Sequence, residues 1–272
     1  MQITMPLGTL SRLGLLASLL LTCASIARGQ AAVNPIEFTY DYPRIGGEIG
    51  LTPTWQSGIY RSGCGEFVEG ARINPLLALA YDHPIVDDVA RFEILAGWML
   101  HSVSSRYTSR ETVVLQTDRG TARVEVDFEN EGDLSVSYFF LLPSVKIYLM
   151  EALYAGGGLS AGLLSSATTQ YRKTILTKSL MIPELGLSEV SYPEEESDDP
   201  YTKIFPEEER PDAQGFALDL ALYVGAEFKL SERLHVGPRI LFAYPVTTVL
   251  SDPDLKLLSM QLTLGVRYAL FR

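Results

Sequence analysis

Between Phe216 and Leu230 the chain alternates without a break. Phe216, Leu218, Leu220, Leu222, Val224, Ala226, Phe228 and Leu230 occupy one phase. Ala217, Asp219, Ala221, Tyr223, Gly225, Glu227 and Lys229 occupy the other. A period of two puts alternate side chains on opposite faces of a strand, so this segment predicts a two-faced β-strand. It is also much longer than the usual 5–6 residues of a globular strand. A chain built from such strands needs an apolar environment on one side of its sheet and a polar one on the other.

The pattern recurs over Arg44–Trp55, Ala71–Asp82, Ala90–Ser104, Leu134–Leu149, Leu153–Leu164, Leu234–Val246 and Leu257–Arg272. In Leu134–Leu149 the phase is expected to slip near Tyr138–Leu142, as at a bulge. The total is an even count of eight. The intervening segments alternate in length: long (56–70), short (83–89), long (105–133), very short (150–152), very long (165–215), short (231–233) and moderate (247–256). Short turns on one side and long loops on the other are the signature of outer-membrane barrels. The faces agree with this. The polar phase carries Gly, Ala, Ser and charge, which suits a narrow hydrated lumen. The other phase carries large aliphatics, with Trp55, Tyr81, Phe92, Phe228, Tyr244 and Tyr268 near strand ends, which suits a lipid-facing band with aromatic girdles. A soluble sandwich or lipocalin-like barrel would be apolar inside instead. The expected fold is therefore all-β: an eight-stranded antiparallel up-and-down transmembrane β-barrel over 44–272, with extracellular loops at about 56–70, 105–133, 165–215 and 247–256.

The N-terminus supplies the address. Residues 2–29 carry only Arg12 and Arg28 as charges and enclose the apolar run Leu13–Leu21. That run is too short to span a membrane as a helix, which takes about 20 residues. It predicts a secretory signal peptide over 1–29, cleaved after Gly29 or Ala31, followed by a periplasmic segment over 30–43. Cys23 follows Leu20-Leu21-Thr22, a poor lipidation context. Removing the signal leaves Cys64 alone, expected to be an unpaired thiol in the first long loop. The net charge of −11 over 272 residues argues against a nucleic-acid partner.

The ending Gly265-Val266-Arg267-Tyr268-Ala269-Leu270-Phe271-Arg272 resembles the C-terminal strand of bacterial outer-membrane proteins, in which alternating apolar residues close on an aromatic. Here Phe271 is penultimate, a departure from that pattern. The segments Pro75–Pro84 and Leu141–Tyr148 are similar to strands of PorT-like members of the outer membrane protein β-barrel superfamily, which also includes outer membrane protein A-like barrels. The resemblance covers about residues 40–272. It implies an outer-membrane location and lipid contact. It also implies recognition of Val266, Tyr268, Leu270 and Phe271 by the barrel-assembly machinery. It does not imply an activity, because the superfamily is defined by architecture.

The polar phase places Arg44, Arg72, Arg91, Lys146, Lys229, Arg239 and Arg267 in the lumen with Glu48, Asp82, Glu93, Asp219 and Glu227. An isolated buried charge is costly, so both signs in one narrow lumen should pair. These residues are expected to form an ion-pair core, centred on Glu48, Arg239 and Arg267, and not a pore lining, since eight strands leave room only for side chains. His101 is expected to be satisfied or exposed near the extracellular rim. Ser102 and Ser104 point to the face opposite it, so no nucleophile–base pair forms there. No catalytic residue, cofactor or His/Asp/Glu metal spacing is expected. From Glu184 to Asp212 eleven acids face two bases, with Pro193, Pro200, Pro206 and Pro211 interspersed. This stretch is expected to lack regular structure. Glu194, Glu195, Glu196, Asp198 and Asp199 are its candidate contacts for a divalent cation or a protein partner. Residues 111–129 are expected to form a hairpin extending beyond the membrane. The expected function is a structural or surface-interaction role without enzymatic activity. The alternatives are a PorT-like secretion component, a lipid-modifying or proteolytic barrel, or a small porin.

Overall fold

The computed structural model describes residues 42–62, 65–86, 89–117, 120–182, 186–192, 199–251 and 254–270. The signal peptide, the periplasmic segment up to residue 41, Cys64, the loop acids at 194, 195, 196 and 198, and Phe271 lie outside the described residues. All described strands, in chain order, are β1 (Arg44–Gly58), β2 (Tyr60–Ser62), β3 (Gly65–Phe67), β4 (Gly70–Val86), β5 (Ala90–Thr117), β6 (Gly120–Tyr148), β7 (Leu153–Ile175), β8 (Ser179–Ile182), β9 (Gly186–Ser191), β10 (Thr202–Ile204), β11 (Glu208–Glu209), β12 (Phe216–Ala226), β13 (Phe228–Lys229), β14 (Leu234–Pro245), β15 (Leu250–Ser251) and β16 (Asp254–Ala269). No described helix is long and apolar enough to cross a membrane.

The long strands pair antiparallel in the order β1–β4–β5–β6–β7–β12–β14–β16. The series then returns to its start, because β16 pairs with β1 from Arg44↔Ala269 to Gly58↔Leu255. Along the lower part of these strands one phase faces into the ring and is mostly buried, and the other faces out. On β1 the inward residues are Glu48, Thr52 and Thr54, and Ile45, Ile49, Leu51 and Trp55 are exposed. On β4 Asn74, Leu76, Ala78, Ala80 and Asp82 alternate with exposed Ile73, Leu77, Leu79 and Tyr81.

Several details differ from the reading of the sequence. The inward phase of β6 does not slip: Leu134, Val136, Tyr138, Phe140, Leu142, Ser144 and Lys146 are all buried. Apolar residues on both faces made it look like a slip. The bulge lies on β7 instead. The register passes from Ser137↔Ser166 to Tyr138↔Leu164, leaving Ser165 without a partner on β6. Below it Tyr154, Ser160 and Gly162 face in, and above it Ala167, Thr169 and Tyr171 do, so one extra residue flips the phase. The alternation of 216–230 is not one strand either, because pairing lapses at Glu227.

The expected loop at 105–133 is mostly strand, and the hairpin expected over 111–129 is the far end of the β5–β6 pair. β5 and β6 stay paired from Ala90↔Ile147 to Thr117↔Gly120. At 28 and 29 residues they are each about three times the 9–11 residues that cross a bilayer. The stretch 165–215 is also more ordered than its acid and proline content suggests. β8 and β9 form a hairpin, β9 pairs with the tip of β5 at Gln116↔Ser191, and β10 and β11 pair along the far half of β7. Cross-strand hydrogen bonds to an existing edge supply the order that local propensity does not.

Candidate functional site

The ring interior has three zones. The first, at the end where β4 turns into β5, is an ion-pair floor. Glu93 on β5 is fully buried and lies 2.7 Å from Arg239 and 3.0 Å from Arg267. Glu48 on β1 lies 2.9 Å from Arg239 and also binds Arg267 directly. Asp82 on β4 accepts from Arg91 at 2.5 Å and sits 3.6 Å from Lys146. Glu227 accepts from Lys146 at 3.2 Å, from Tyr148 at 3.0 Å and from Arg44. Arg91 also donates to the Tyr42 carbonyl at 2.5 Å, which ties the segment before β1 into the floor. The Tyr154 and Tyr223 rings flank the cations, with Lys146 5.0 Å from the first centroid and Arg239 4.7 Å from the second.

Two of the charges assigned to the lumen from phase alone lie elsewhere. Arg72 is half exposed at the opposite rim, 3.6 Å from Asp133. Lys229 is exposed because the strand lapses two residues before it. Asp219 is buried but makes no ion pair among the described residues.

The second zone is polar and lies mid-lumen. Asn74 donates to Thr54 Oγ1 at 3.1 Å and to the Ser102 carbonyl at 3.0 Å, and it accepts from the Ser102 hydroxyl. His101 is buried here, edge-on to Tyr138 with ring centroids 6.1 Å apart. It is therefore not an exposed rim histidine, and its Nε2 finds no hydrogen-bond partner among the described residues. The Ser102 hydroxyl donates to Asn74 and not to His101.

The third zone is an apolar plug that the sequence did not reveal. Tyr60 and Phe67 from the β2–β3 hairpin stack at 4.8 Å between centroids. They pack with Val103, Leu134, Val136, Tyr171, Val249, Leu250 and Leu255. Gln56 pins the hairpin by donating to the Phe67 carbonyl at 2.6 Å, and accepts from Ser105 at 2.7 Å. Burial pushes the Tyr60 phenol well above the ordinary tyrosine range. The signal for this plug was present in Tyr60, Phe67, Val249 and Leu250, apolar residues in segments that otherwise read as loops.

Above the plug β5, β6 and β7 rise as a free-standing sheet. Its outer face carries a row in which Arg106 and Arg172 flank Glu131, at 2.7 Å and 3.0 Å, and a further pair in which Arg110 meets Asp127 at 2.7 Å. On its inner face Lys173 reaches Glu111 at 2.6 Å. Those hydrogen bonds hold the Glu111 and Asp127 carboxyls below their usual range. Asp199, the one described member of the expected cation-binding acids, accepts from the Tyr201 backbone N–H at 3.0 Å. No group of three or more metal-ligating side chains lies among the described residues.

No protein-family model and no curated protein matches the chain. Solved structures similar to it include the attachment invasion locus protein Ail of Yersinia pestis: 12% identity, 84% of this chain and 99% of that one, TM-score 0.32. Neisserial surface protein A is similar at 13% identity, over 83% and 97% of the two chains, TM-score 0.28. The outer membrane protein OprG from Pseudomonas aeruginosa is similar at 11% identity, over 85% and 96%, TM-score 0.35. These neighbours are small bacterial outer-membrane β-barrel proteins, the class that the sequence pattern resembles. Superposition scores this low leave the fold to rest on the pairings and faces described above.

Proposed function

We propose that the chain is a closed, eight-stranded up-and-down β-barrel of the outer membrane. It has no enzymatic activity, and it acts through the sheet and loops it holds outside the cell. One observation carries this reading: the ring is inside-out relative to a soluble protein. Leu79 (72% exposed), Leu77, Leu222, Leu159, Leu163, Ile49 and Val224 point outward, and the fully buried side chains include Arg91, Glu93 and Lys146. Contiguous apolar surface on this scale is not a feature of soluble monomers, and its solvent is lipid.

The belt has a definable height. On the outer face of β5 and β6 it runs from Ala90 and Ile147 up to Trp98 and Phe139, then yields to Ser137 and Ser135. Nine residues of tilted strand match one bilayer crossing. The long connections then lie on the outside, and the short turns after β4, β6 and β12 in the periplasm. Beyond the belt, residues 99–117 of β5 and 120–138 of β6 reach roughly 60 Å farther along the strands. The ion-pair floor and the apolar plug block the lumen from both ends, which supports display over conduction.

Fractionation tests the reading. The protein should sediment with outer membranes and migrate faster unheated than boiled on a gel. Recovery from the soluble periplasm would overturn it. Reconstituted protein should give no steady conductance across a planar bilayer, and a stable open level would refute the sealed lumen.

A further inference from the structure

Outside the ring the β5–β6–β7 sheet has two long edges, and the chain treats them differently. The β7 edge is covered: β10 pairs with it at Arg172, Lys173 and Thr174, and β11 at Thr168 and Thr169. The β5 edge is not. β4 leaves it at Gly70↔Ser105, and β9 takes it up again only at Gln116↔Ser191. Just above Ser105 the Phe67 ring of the β2–β3 hairpin packs on Tyr107, with centroids 5.2 Å apart. From Thr108 to Leu115 no described strand pairs with the side of β5 that faces away from β6. That stretch is about 27 Å long.

The neighbours fix which backbone groups point out of this edge. Leu176, just past β7, donates its N–H to the Asp127 carbonyl at 2.9 Å, so Asp127 turns its backbone groups toward β7. Arg110 lies opposite Asp127. The two therefore form a non-hydrogen-bonded pair of the antiparallel ladder, and the Arg110 N–H and C=O point away from β6. The register is unbroken, so Thr108, Thr112 and Val114 follow with a period of two. The donors and acceptors of these four residues line the open side, and all four side chains are exposed. Natural sheets blunt such an edge with a proline, a bulge or a covering segment. Thr108–Leu115 contains no proline, and its pairing with β6 has no bulge.

We infer that the Thr108–Leu115 edge takes up a short extended segment of a partner protein as an added antiparallel strand. The inference rests on the reading of this sheet as held outside the cell, and it names the kind of partner the sheet meets. The occupant is polypeptide because a backbone offers donors and acceptors at the matching spacing. It is antiparallel because β5 pairs that way with β4, β6 and β9. It is short because the hairpin stops the slot at one end and β9 at the other. A second copy of this chain does not fit, since its own β5 runs on past both stops, from Ala90 to Thr117. On the outer face the added strand lies beside Thr108, Arg110, Thr112 and Val114. Asp127 already holds Arg110 at 2.7 Å, so a charge on the occupant gains little there. Uncharged β-branched side chains pack best beside the threonines and the valine.

The test uses full-length protein refolded in neutral-detergent micelles, with heat-modifiable migration checked first. Failure at that step would remove the barrel reading itself, whereas a folded barrel that fails below removes only this inference. The probe is a fluorescent, end-blocked octapeptide of alternating threonine and valine, N-methylated at every second residue so that one edge alone can pair. Its comparator is N-methylated throughout. By anisotropy the first should bind at least tenfold more tightly. Thr112→Pro deletes an N–H on the open side and spares the β6 ladder, so it should weaken binding at least fivefold. Thr112→Val keeps that N–H and should bind as the unaltered protein does. Amide exchange gives a second readout: the peptide should slow Thr108, Arg110, Thr112 and Val114 and leave Ser109, Glu111 and Val113 as they were. Equal binding of the two peptides, full binding by Thr112→Pro, or added protection that ignores the alternation would overturn the inference. So would protection that appears without peptide and rises with protein concentration, the mark of two paired copies.

Discussion

Glu93 is the most informative single residue to remove. It is fully buried and takes hydrogen bonds from Arg239 at 2.7 Å and Arg267 at 3.0 Å, with Lys146 4.0 Å away. The floor already holds one positive charge in excess: Arg44, Arg91, Lys146, Arg239 and Arg267 face Glu48, Asp82, Glu93 and Glu227. Glu93→Leu raises that excess to two and leaves Arg239 with Glu48, and Arg267 with Glu48 and the more distant Asp82 at 3.7 Å, among the described residues. Arg239 Nη1 has no hydrogen-bond partner among the described residues even beforehand. Breaking a buried pair by removing one partner costs about 3–5 kcal/mol, mostly from the charge left behind. The double variant Glu93→Leu/Arg239→Met removes both signs, restores the original excess and fills the space with apolar volume. It should cost less than about 2 kcal/mol, because exchanging a whole buried pair for packed side chains is close to neutral. Urea unfolding of the barrel in lipid vesicles, followed by fluorescence of Trp55 and Trp98, measures both. If the single variant is as mild as the double, or the double as severe as the single, the floor is not held by paired charge and the reasoning fails.

Three further outcomes are expected. Leu222→Arg, at the middle of β12 on the outer face, should destabilise the membrane-embedded protein by about 2–4 kcal/mol; a change within about 0.5 kcal/mol, normal for an exposed soluble position, would count against lipid contact. Gly237→Ala should destabilise by about 1–3 kcal/mol, since the new Cβ would press on the Ala226 backbone carbonyl, which has no flexible end to yield; equal unfolding midpoints would refute the close approach. Acid should loosen the outer sheet before the barrel. Glu111 and Asp127 have folded pKa values below their unfolded ones, so their contribution is complete above about pH 4 and is lost as pH falls through the lower, folded values. Amide exchange matched to a common intrinsic rate should show weaker protection at 106–112 and 125–131 at pH 3 than at pH 6, with 91–99 unchanged; uniform loss across both regions would contradict it.

The sequence made the belt legible because a lipid-facing strand must repeat its apolar residue at every second position, and Leu218, Leu220, Leu222 and Val224 leave no other reading. The charged phase was legible for the same reason wherever the strand was regular. Phase alone misplaced Lys229, where the ladder lapses at Glu227, and Arg72, which lies above the floor near the rim. It also misread Tyr138, Phe140 and Leu142, because a packed lumen uses the same residue types as the belt. The bulge at Ser165 left a faint mark, two adjacent serines where the apolar phase changes sides. The strands within 179–209 left almost none. Their acids and prolines speak for an open loop, and what orders them is the edge of β7 and the tip of β5, contacts that a local pattern does not encode.

The ion-pair floor also bears on how such a chain assembles. Its charges come from β1, β4, β5, β6, β14 and β16 and from Glu227 beside β12. Arg267, near the very end of the chain, meets its carboxylate Glu48 on the first strand. Until the last strand zips onto the first, the sheet carries uncompensated charge on the surface that will become its interior. Neutralisation and closure are thus one event, and a half-wound intermediate or a strand paired out of register pays for unmatched ions. Pairing of these ions favours the completed ring over arrangements that leave them unmatched.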